Sequence, residues 1–404
     1  MHFAFIRSVL FLGTAVFGLS HASGATAGRL FFEAPAPGRD EGRVYYYVPP
    51  ALEGKKNVPL LIFLHGGDKT SPVDAPARYL GENGWLQPEF ASAPFVVAAA
   101  SAPPTRHSSR WNAAGTEHAI DALIVAAKRH FDVDPDRVFL GGHSMGGFGA
   151  YHLGQVMADR FAGVWMSAGA WWEADFRTLY GTPVYLQHGR NDCADAFKMA
   201  LPEPRRHHWC GVSFARAAHE LMQRDGVEHV YDEHAEGHSL AWPAARAATR
   251  RFFAWAARQR RNPYPAKAVL ETPCGTRHPD FTFVTRARWL EIIREEVGEF
   301  LVDAILLEGP AIARTDAELM QQTYTLRRVW REGARLSAEN LGGNRFRVTA
   351  ENVNEFAILL APAMGDLARP FSVTVNGRVP QTLSAEPLAG DPDYAARLRV
   401  IVKP

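Results

Sequence analysis

A serine between glycines is the side chain in this sequence best suited to nucleophilic chemistry. The segment 142–146 reads GHSMG, follows an apolar run at 137–140 and precedes a stretch of helical character. At such a strand–turn–helix junction the small flanking residues allow a tight turn, which raises the serine hydroxyl above the sheet edge. The helix N-terminus behind the serine favours negative charge that develops nearby. The pattern predicts that Ser144 is a nucleophile.

A serine nucleophile needs a base, and the base needs an orienting carboxylate. On this type of scaffold the chain order is serine, then acid, then histidine. Asp192 follows the predicted strand 182–186, and His238 follows the extended run 228–233. We therefore predict that Asp192 is the acid and His238 the base, with Asp195 and His234 as alternatives.

The tetrahedral oxyanion of acyl transfer needs backbone N–H donors. One is expected from Met145, directly after the nucleophile, and the other from the loop 65–68, which reads HGGD after a buried strand. His65 is expected to hold this loop and is included among the candidate substrate-binding residues.

The elements that would position these residues alternate between strand and helix. Short, unbroken apolar runs are typical of strands buried on both faces, and their alternation with helices predicts a mostly parallel sheet with helices on both sides. The predicted strands cover 44–48, 59–64, 94–100, 137–140, 162–167, 182–186 and 228–233, and the predicted helices 116–130, 147–157, 212–224 and 243–260.

The pattern changes after the segment 262–265, which reads NPYP. Period-two alternation at 345–349, apolar runs at 357–360 and 371–375, and an Asn-Gly turn indicate a small, mostly β, sandwich-like domain. We predict a signal peptide over 1–24, a catalytic α/β domain over 25–262 and a C-terminal β-rich domain over 263–404.

The first residues have the composition of a secretory signal. Arg7 precedes an apolar run at 9–19, which is short for a bilayer span, and small residues follow it. The expected location is secreted or periplasmic, with no membrane attachment after cleavage. With 44 Lys and Arg against 43 Asp and Glu, the net charge of +1 gives no long-range attraction to nucleic acid.

Three cysteines are too few for a disulfide scaffold, and their spacing is not that of a zinc site. In an oxidising compartment, Cys193 and Cys210 are expected to close a loop beside the predicted acid. His208 and Trp209 in this loop are candidates for binding a carboxylate-bearing or aromatic substrate. No cofactor or metal is expected, and the sequence does not indicate an oligomeric state.

Two tryptophans are further substrate-binding candidates. Trp111 follows a predicted strand, and Trp171 lies in the connection 169–181. That connection is too short for a lid domain, so the site is expected to be open to small-molecule esters or to esters carried on a polysaccharide or polyester.

The segment 43–262 resembles an α/β-hydrolase. The runs LHGG at 64–67 and DRVFLGGHSMGG at 136–147 are similar to those of secreted esterases of the polyhydroxybutyrate-depolymerase and feruloyl or acetylxylan esterase group, and of the prolyl-oligopeptidase catalytic domain. The resemblance implies Ser144, Asp192 and His238 as the triad and Gly67 with Met145 as the oxyanion hole.

These features predict a secreted serine esterase working through an acyl-enzyme. A serine peptidase of prolyl-oligopeptidase type without its propeller is one alternative, because the triad would be the same. A non-catalytic carbohydrate-binding protein on a hydrolase fold is the other, with recognition by the C-terminal domain.

Overall fold

Short apolar runs form the strands of one large sheet, as the sequence predicted. The computed structural model describes residues 28–33, 43–67, 75–81, 83–102, 111–113, 115–192, 211–276, 282–308 and 323–402. The predicted signal peptide 1–24 lies outside these residues. The strands of the large sheet are β1 (Arg29–Glu33), β2 (Val44–Val48), β3 (Val58–Leu64), β4 (Val96–Ala99), β5 (Val133–His143), β6 (Gly163–Ser167), β8 (Val184–Gly189) and β9 (His229–His234).

The order of this eight-stranded sheet is β1-β2-β4-β3-β5-β6-β8-β9. Strand β2 pairs antiparallel with both its neighbours, and every pairing from β4 to β9 is parallel. The prediction of a mostly parallel α/β-hydrolase sheet is confirmed, and the carboxyl ends of β5, β8 and β9 consequently meet at one edge.

Both faces of the central strands are buried. All seven residues of β3 are buried, and its alternate side chains belong to different hydrophobic clusters: Leu60 and Ile62 on one face, Leu61 and Phe63 on the other. Because successive side chains of a strand point to opposite faces, an unbroken apolar run indicates two covered faces.

Helices cover these faces, and their ends follow local sequence signals. Helix α5 is capped by Gly226, whose φ of 69° allows its N–H to bond the carbonyls of Met222 and Gln223, and α6 begins with proline. The helices are α1 (Ala77–Leu80), α2 (Gln87–Phe90), α3 (Thr116–His130), α4 (Met145–Val156), α5 (Val212–Asp225) and α6 (Pro243–Ala256).

The residues after 263 form two five-stranded sheets that share one apolar core. Leu336 and Val348 of one sheet belong to the same buried cluster as Phe356 and Leu398 of the other. The strands are β10 (Lys267–Thr272), β15 (Ala334–Asn340), β16 (Arg345–Glu351), β18 (Phe371–Val375) and β19 (Gln381–Leu383) in the first sheet, and β11 (Arg286–Ala287), β12 (Leu290–Glu295), β17 (Val353–Leu360), β20 (Glu386–Pro387) and β21 (Ala396–Ile401) in the second.

A third, three-stranded sheet joins the two parts of the chain. The hairpin β13 (Glu299–Glu308) and β14 (Thr323–Glu332) pairs through β13 with β7 (Glu173–Ala174), which follows β6 in the connection that the sequence indicated as short. The division of the chain near residue 263 stays a prediction, and a sheet crosses it.

Buried charges reinforce this junction. Arg335 on β15 lies 3.2 Å from the Asp175 carboxylate, next to β7, and 2.7 Å from Glu351. Arg177 lies 2.5 Å from the same aspartate. Burial alone would raise the pKa of Asp175, but the two guanidinium groups hold it below its usual value. The segment that carries β7 is therefore fixed by residues more than a hundred positions away.

Candidate active site

Ser144 lies in a strained turn between β5 and α4. Its φ of 58° and ψ of −118° are outside the regions that a residue with a side chain favours. A Cβ atom on Gly142 would overlap the carbonyl of Gly146, and one on Gly146 would overlap the carbonyl of Leu64. The glycines therefore permit a turn that places the hydroxyl at the carboxyl edge of the sheet. Such a conformation costs on the order of 1–3 kcal/mol and is typical of functional sites.

Three side chains form a continuous hydrogen-bonded chain at this edge. The Oγ atom of Ser144 lies 2.8 Å from Nε2 of His238, and Nδ1 of His238 lies 2.7 Å from Oδ1 of Asp192. The Asp192 side chain is fully buried, whereas His238 is 13% exposed and Ser144 is partly exposed. The structure thus brings together the three residues named from the sequence, with the histidine placed to accept the serine proton.

The loops that carry Asp192 and His238 are bound to each other. The Arg190 N–H donates to the His234 carbonyl at 2.8 Å, and the Asn191 N–H donates to the Glu236 carbonyl at 3.1 Å. The side chain of Asn191 donates to the carbonyl of Ala235 at 2.8 Å. Parallel pairing of β8 with β9 therefore continues into the two loops, which fixes the separation of acid and base.

Glu236 anchors the histidine loop to a helix. Its carboxylate accepts the N–H groups of Ala244 and Ala245, at 3.0 Å each, in the first turn of α6. These groups have no partner inside a helix, and a negative charge there also complements the helix dipole. Because Glu236 is two residues before His238, this cap holds the base in place.

The electrostatics of the site favour an ionised Asp192 and neutral His143 and His234. Burial alone would raise the pKa of Asp192, but the charges and hydrogen bonds of His238 and His188 outweigh it and hold that pKa well below the usual range. Burial, assisted by His238, lowers the pKa of His143, and burial with a contribution from His188 lowers that of His234. His238, and not His234, contacts both Ser144 and Asp192.

The glycine loop after β3 lies against the serine. A Cβ atom on Gly66 would be 3.2 Å from that of Ser144, and the Gly66 N–H donates to the hydroxyl of Tyr79 at 3.0 Å. The Gly66 N–H is therefore already bonded within the protein. Met145 begins α4, so its N–H lies at the helix N-terminus.

His65 holds this loop through both ring nitrogens. Nδ1 bonds the Gly66 carbonyl at 2.6 Å, and Nε2 accepts the N–H of Ala102 at 2.9 Å. The indole N–H of Trp111 donates to the His65 carbonyl at 3.1 Å. His65 is 3% exposed and Trp111 1%, so neither offers surface to a substrate, and the substrate contacts expected of them are not supported.

Trp171 is also in the core rather than in the cleft. It has no exposed surface and packs edge-on against Phe176 at 5.1 Å. Its neighbour Trp172 is partly exposed and stacks on Phe148 at 5.6 Å. Phe148 is one helical turn after Ser144, so this aromatic pair lies on the same side of α4 as the nucleophile. His208, Trp209, Cys193, Cys210 and the alternative acid Asp195 lie outside the described residues.

Two features of the site were not assigned from the sequence. His188 contacts the second oxygen of Asp192, and its position four residues before the acid in the run 188–192 was the available signal. The carbonyl of Trp172 accepts the N–H of Ile305 on β13 at 2.8 Å, so the C-terminal hairpin holds the segment that carries Trp172. No sequence signal connects residues that are so far apart.

In the part of the chain that the structure describes, no cluster of three or more histidine, cysteine, aspartate or glutamate side chains is arranged to hold a metal ion. None of the helices within the described ranges is both long and apolar enough to span a bilayer.

Comparison with known proteins gave one partial sequence match. A bifunctional acetylxylan esterase/xylanase of Neocallimastix patriciarum is 29% identical over 157 residues, which are 38% of this chain and 22% of that protein. The chain thus matches about a fifth of that relative's length. No family model matches the sequence.

Several solved esterase structures resemble the chain over part of its length. A thermostable esterase has a TM-score of 0.41 at 20% identity over 58% of this chain and 64% of its own. A ferulic acid esterase of Anaeromyces mucronatus has 0.41 at 16% over 59% and 93%. An S-formylglutathione hydrolase of Agrobacterium tumefaciens has 0.41 at 15% over 59% and 98%. The fold assignment itself depends on the strand order and the parallel pairings described above.

Proposed function

We propose that the chain is a serine hydrolase of carboxylic esters. The observation that supports this most is the hydrogen-bonded chain from Ser144 through His238 to the buried, ionised Asp192. The partial relative is described as an acetylxylan esterase joined to a xylanase. Both point to acyl transfer, with an ester of small-molecule or polysaccharide origin as the substrate.

In the first half of the reaction, His238 accepts the Ser144 proton at Nε2 while Oγ attacks the ester carbonyl. Asp192 holds the Nδ1 proton of His238, which fixes the tautomer and stabilises the imidazolium. The N–H groups of Gly67 and Met145 bind the oxyanion, and a donor of this kind contributes about 10²–10³ in kcat. Collapse of the intermediate releases the alcohol, which takes the proton from His238, and leaves an acyl-Ser144.

In the second half, water enters the site and His238 removes its proton as it attacks the acyl-enzyme. The second tetrahedral intermediate is stabilised by the same two N–H groups. Its collapse returns the proton to Ser144 Oγ and releases the acid. Every step is performed by side chains and backbone groups of this chain.

The aromatic pair Phe148 and Trp172 forms one wall of the proposed substrate site. Trp172 is fixed by its contact with Phe214 at 5.4 Å and by the backbone bond from Ile305. We propose that the β-rich segment after residue 263 supports the hydrolase by holding this wall. Trp172→Ala should raise KM for bulky esters more than for acetyl esters, and Trp330→Ala, an exposed tryptophan on β14, is the matched control.

The N-terminal segment supports the proposal that the enzyme is exported, with cleavage close to residue 24. N-terminal sequencing of protein recovered from the periplasm or medium tests this, and an intact N-terminus there would contradict it.

The proposed Cys193–Cys210 disulfide would add on the order of 3 kcal/mol to the free energy of unfolding. Intact mass with and without reductant should differ by the mass of two hydrogen atoms, whereas three free thiols would exclude the bond.

A panel of acetyl, butyryl, long-acyl, feruloyl and hydroxybutyrate-oligomer esters tests the function, with peptide amides as a further arm. We expect turnover of at least one ester class by the wild type and none by Ser144→Ala. Turnover of peptide amides with little ester hydrolysis would favour a peptidase instead. No turnover of any substrate would contradict a hydrolase.

A further inference from the structure

Both oxygens of the buried Asp192 carboxylate face an imidazole. Oδ1 lies 2.7 Å from Nδ1 of His238, and Oδ2 lies 2.6 Å from Nε2 of His188. The side chains of His188 and Asp192 have no exposed surface. At this distance two lone pairs would repel each other, so Nε2 is the nitrogen of His188 that carries a proton, and the imidazole and the carboxylate form a close polar contact.

The chain fixes His188 at this position. His188 lies on β8 opposite Glu233 of β9, and Asp192 follows four residues later, after the turn that is bonded to the histidine loop. A Cβ atom on the intervening Gly189 would overlap the Gly237 carbonyl, so β8 contacts the loop of the base directly. His188, Asp192 and His238 therefore keep a fixed geometry.

We infer that His188 is a positioning residue of the proposed hydrolase, which orients the Asp192 carboxylate and limits how strongly it attracts a proton on His238. The inference rests on the proposed function. A carboxylate bound at one oxygen can rotate about its Cβ–Cγ bond, and a donor on the other oxygen prevents this. The same donor withdraws negative charge from the oxygen that faces His238. The imidazole of His238 therefore stays unprotonated, and able to accept the serine proton, down to a lower pH.

The other titratable groups around His188 do not replace this effect. Besides Asp192 and His238, the groups that act on it are His143 at the end of β5 and His234 at the end of β9. Burial lowers the pKa of both histidines, so they are uncharged near neutral pH. A substitution of His188 should therefore act on the reaction through Asp192 and His238.

The test measures the second-order rate at which diisopropyl fluorophosphate labels Ser144, across a pH series and on the full chain. This reaction needs the serine, the base and the acid but no particular ester. His188→Leu removes the donor, and His188→Gln keeps an N–H group in reach of Oδ2. Loss of the close polar contact with a buried charged group predicts about 10- to 100-fold slower labelling in the leucine variant.

The pH profile separates positioning from general stability. The labelling rate should fall at low pH as His238 becomes protonated, and we call this fall the acid limb of the profile. We expect the acid limb to move to higher pH in the leucine variant and to stay at the wild-type position in the glutamine variant. His152→Gln is the matched control, because His152 is equally buried but bonds Thr282 and Thr276. It should lower the melting temperature without moving the acid limb.

Labelling of the leucine variant at the wild-type rate, with an unmoved limb, would overturn the inference and leave the proposed function intact. A wild type that is not labelled at Ser144 would overturn both. Histidine-¹⁵N NMR of the wild type is a second measurement that needs no variant. It should show a protonated, non-exchanging Nε2 on His188, and an unprotonated Nε2 would refute the assignment.

Discussion

Replacing the nucleophile by glycine should make the protein more stable than replacing it by alanine. Both Ser144→Gly and Ser144→Ala remove the hydroxyl and its bond to His238, so both should abolish activity. They differ in the backbone, because Ser144 has a φ of 58° and a ψ of −118°. A side chain in such a conformation costs on the order of 1–3 kcal/mol, which glycine avoids.

The unfolded chain reduces this gain. Glycine has more conformations to lose on folding, which costs about 0.4–1 kcal/mol relative to alanine. The difference leaves the glycine variant up to about 2.6 kcal/mol more stable than the alanine variant. At about 2–4 °C per kcal/mol for a domain of this size, the melting temperature should rise by up to about 10 °C.

The assay is urea unfolding of the two variants at one pH, followed by fluorescence and circular dichroism. Ala122→Gly is the matched control, since Ala122 is exposed in the middle of α3 and has no such strain. This control should lose about 1 kcal/mol. A glycine variant that is less stable than the alanine variant, as at Ala122, would refute the strained turn.

Three further changes test the site and its support. Asp192→Asn should lower kcat by about 10⁴ at pH 7, as tautomer loss does in comparable triads, with KM nearly unchanged. Because the pKa of Asp192 is held below its unfolded value of 3.8, the stability it contributes is complete above that pH and is lost as the pH falls through the folded value. Unfolding between pH 6 and pH 3 should therefore be less pH-dependent in this variant, and an equal slope would contradict the depressed pKa. Arg335→Met breaks the buried contact between β15 and the β7 segment and should cost about 3–5 kcal/mol, whereas Arg347→Met breaks an exposed pair and should cost under about 1 kcal/mol in the same urea assay. Glu236→Ala removes the cap of α6 and should lower the free energy of unfolding by about 1–2 kcal/mol. It should also slow ester hydrolysis, because His238 is displaced. An unchanged kcat/KM would show that the cap does not position the base.

The sequence predicted the elements whose signals are local. The helix 116–130 was predicted with the bounds it has, because the apolar periodicity that indicates it lies within the helix itself. The strand before Ser144 and the helix after it were recognised through glycines that only a tight turn requires. The order of serine, acid and base followed from the connection of each to a strand end.

The sequence did not predict contacts between distant segments. Pairing of β13 with β7 joins residues 303–304 to 173–174, and nothing in either segment specifies the other. Trp111 and Trp171 lie in connections after strands, where a large aromatic side chain packs inward or outward according to the space that other segments leave. Both pack inward here, and in the connection 169–181 the partly exposed tryptophan is Trp172.

Trapping of the covalent intermediate tests the central claim most directly. The mature protein is mixed with 4-nitrophenyl acetate, quenched in acid within the burst and digested, and the peptides are analysed by mass spectrometry. The account predicts one acetyl group on the peptide that contains Ser144, and its absence in Ser144→Ala. An acetyl group on another residue, or ester turnover with no adduct at Ser144, would contradict the mechanism.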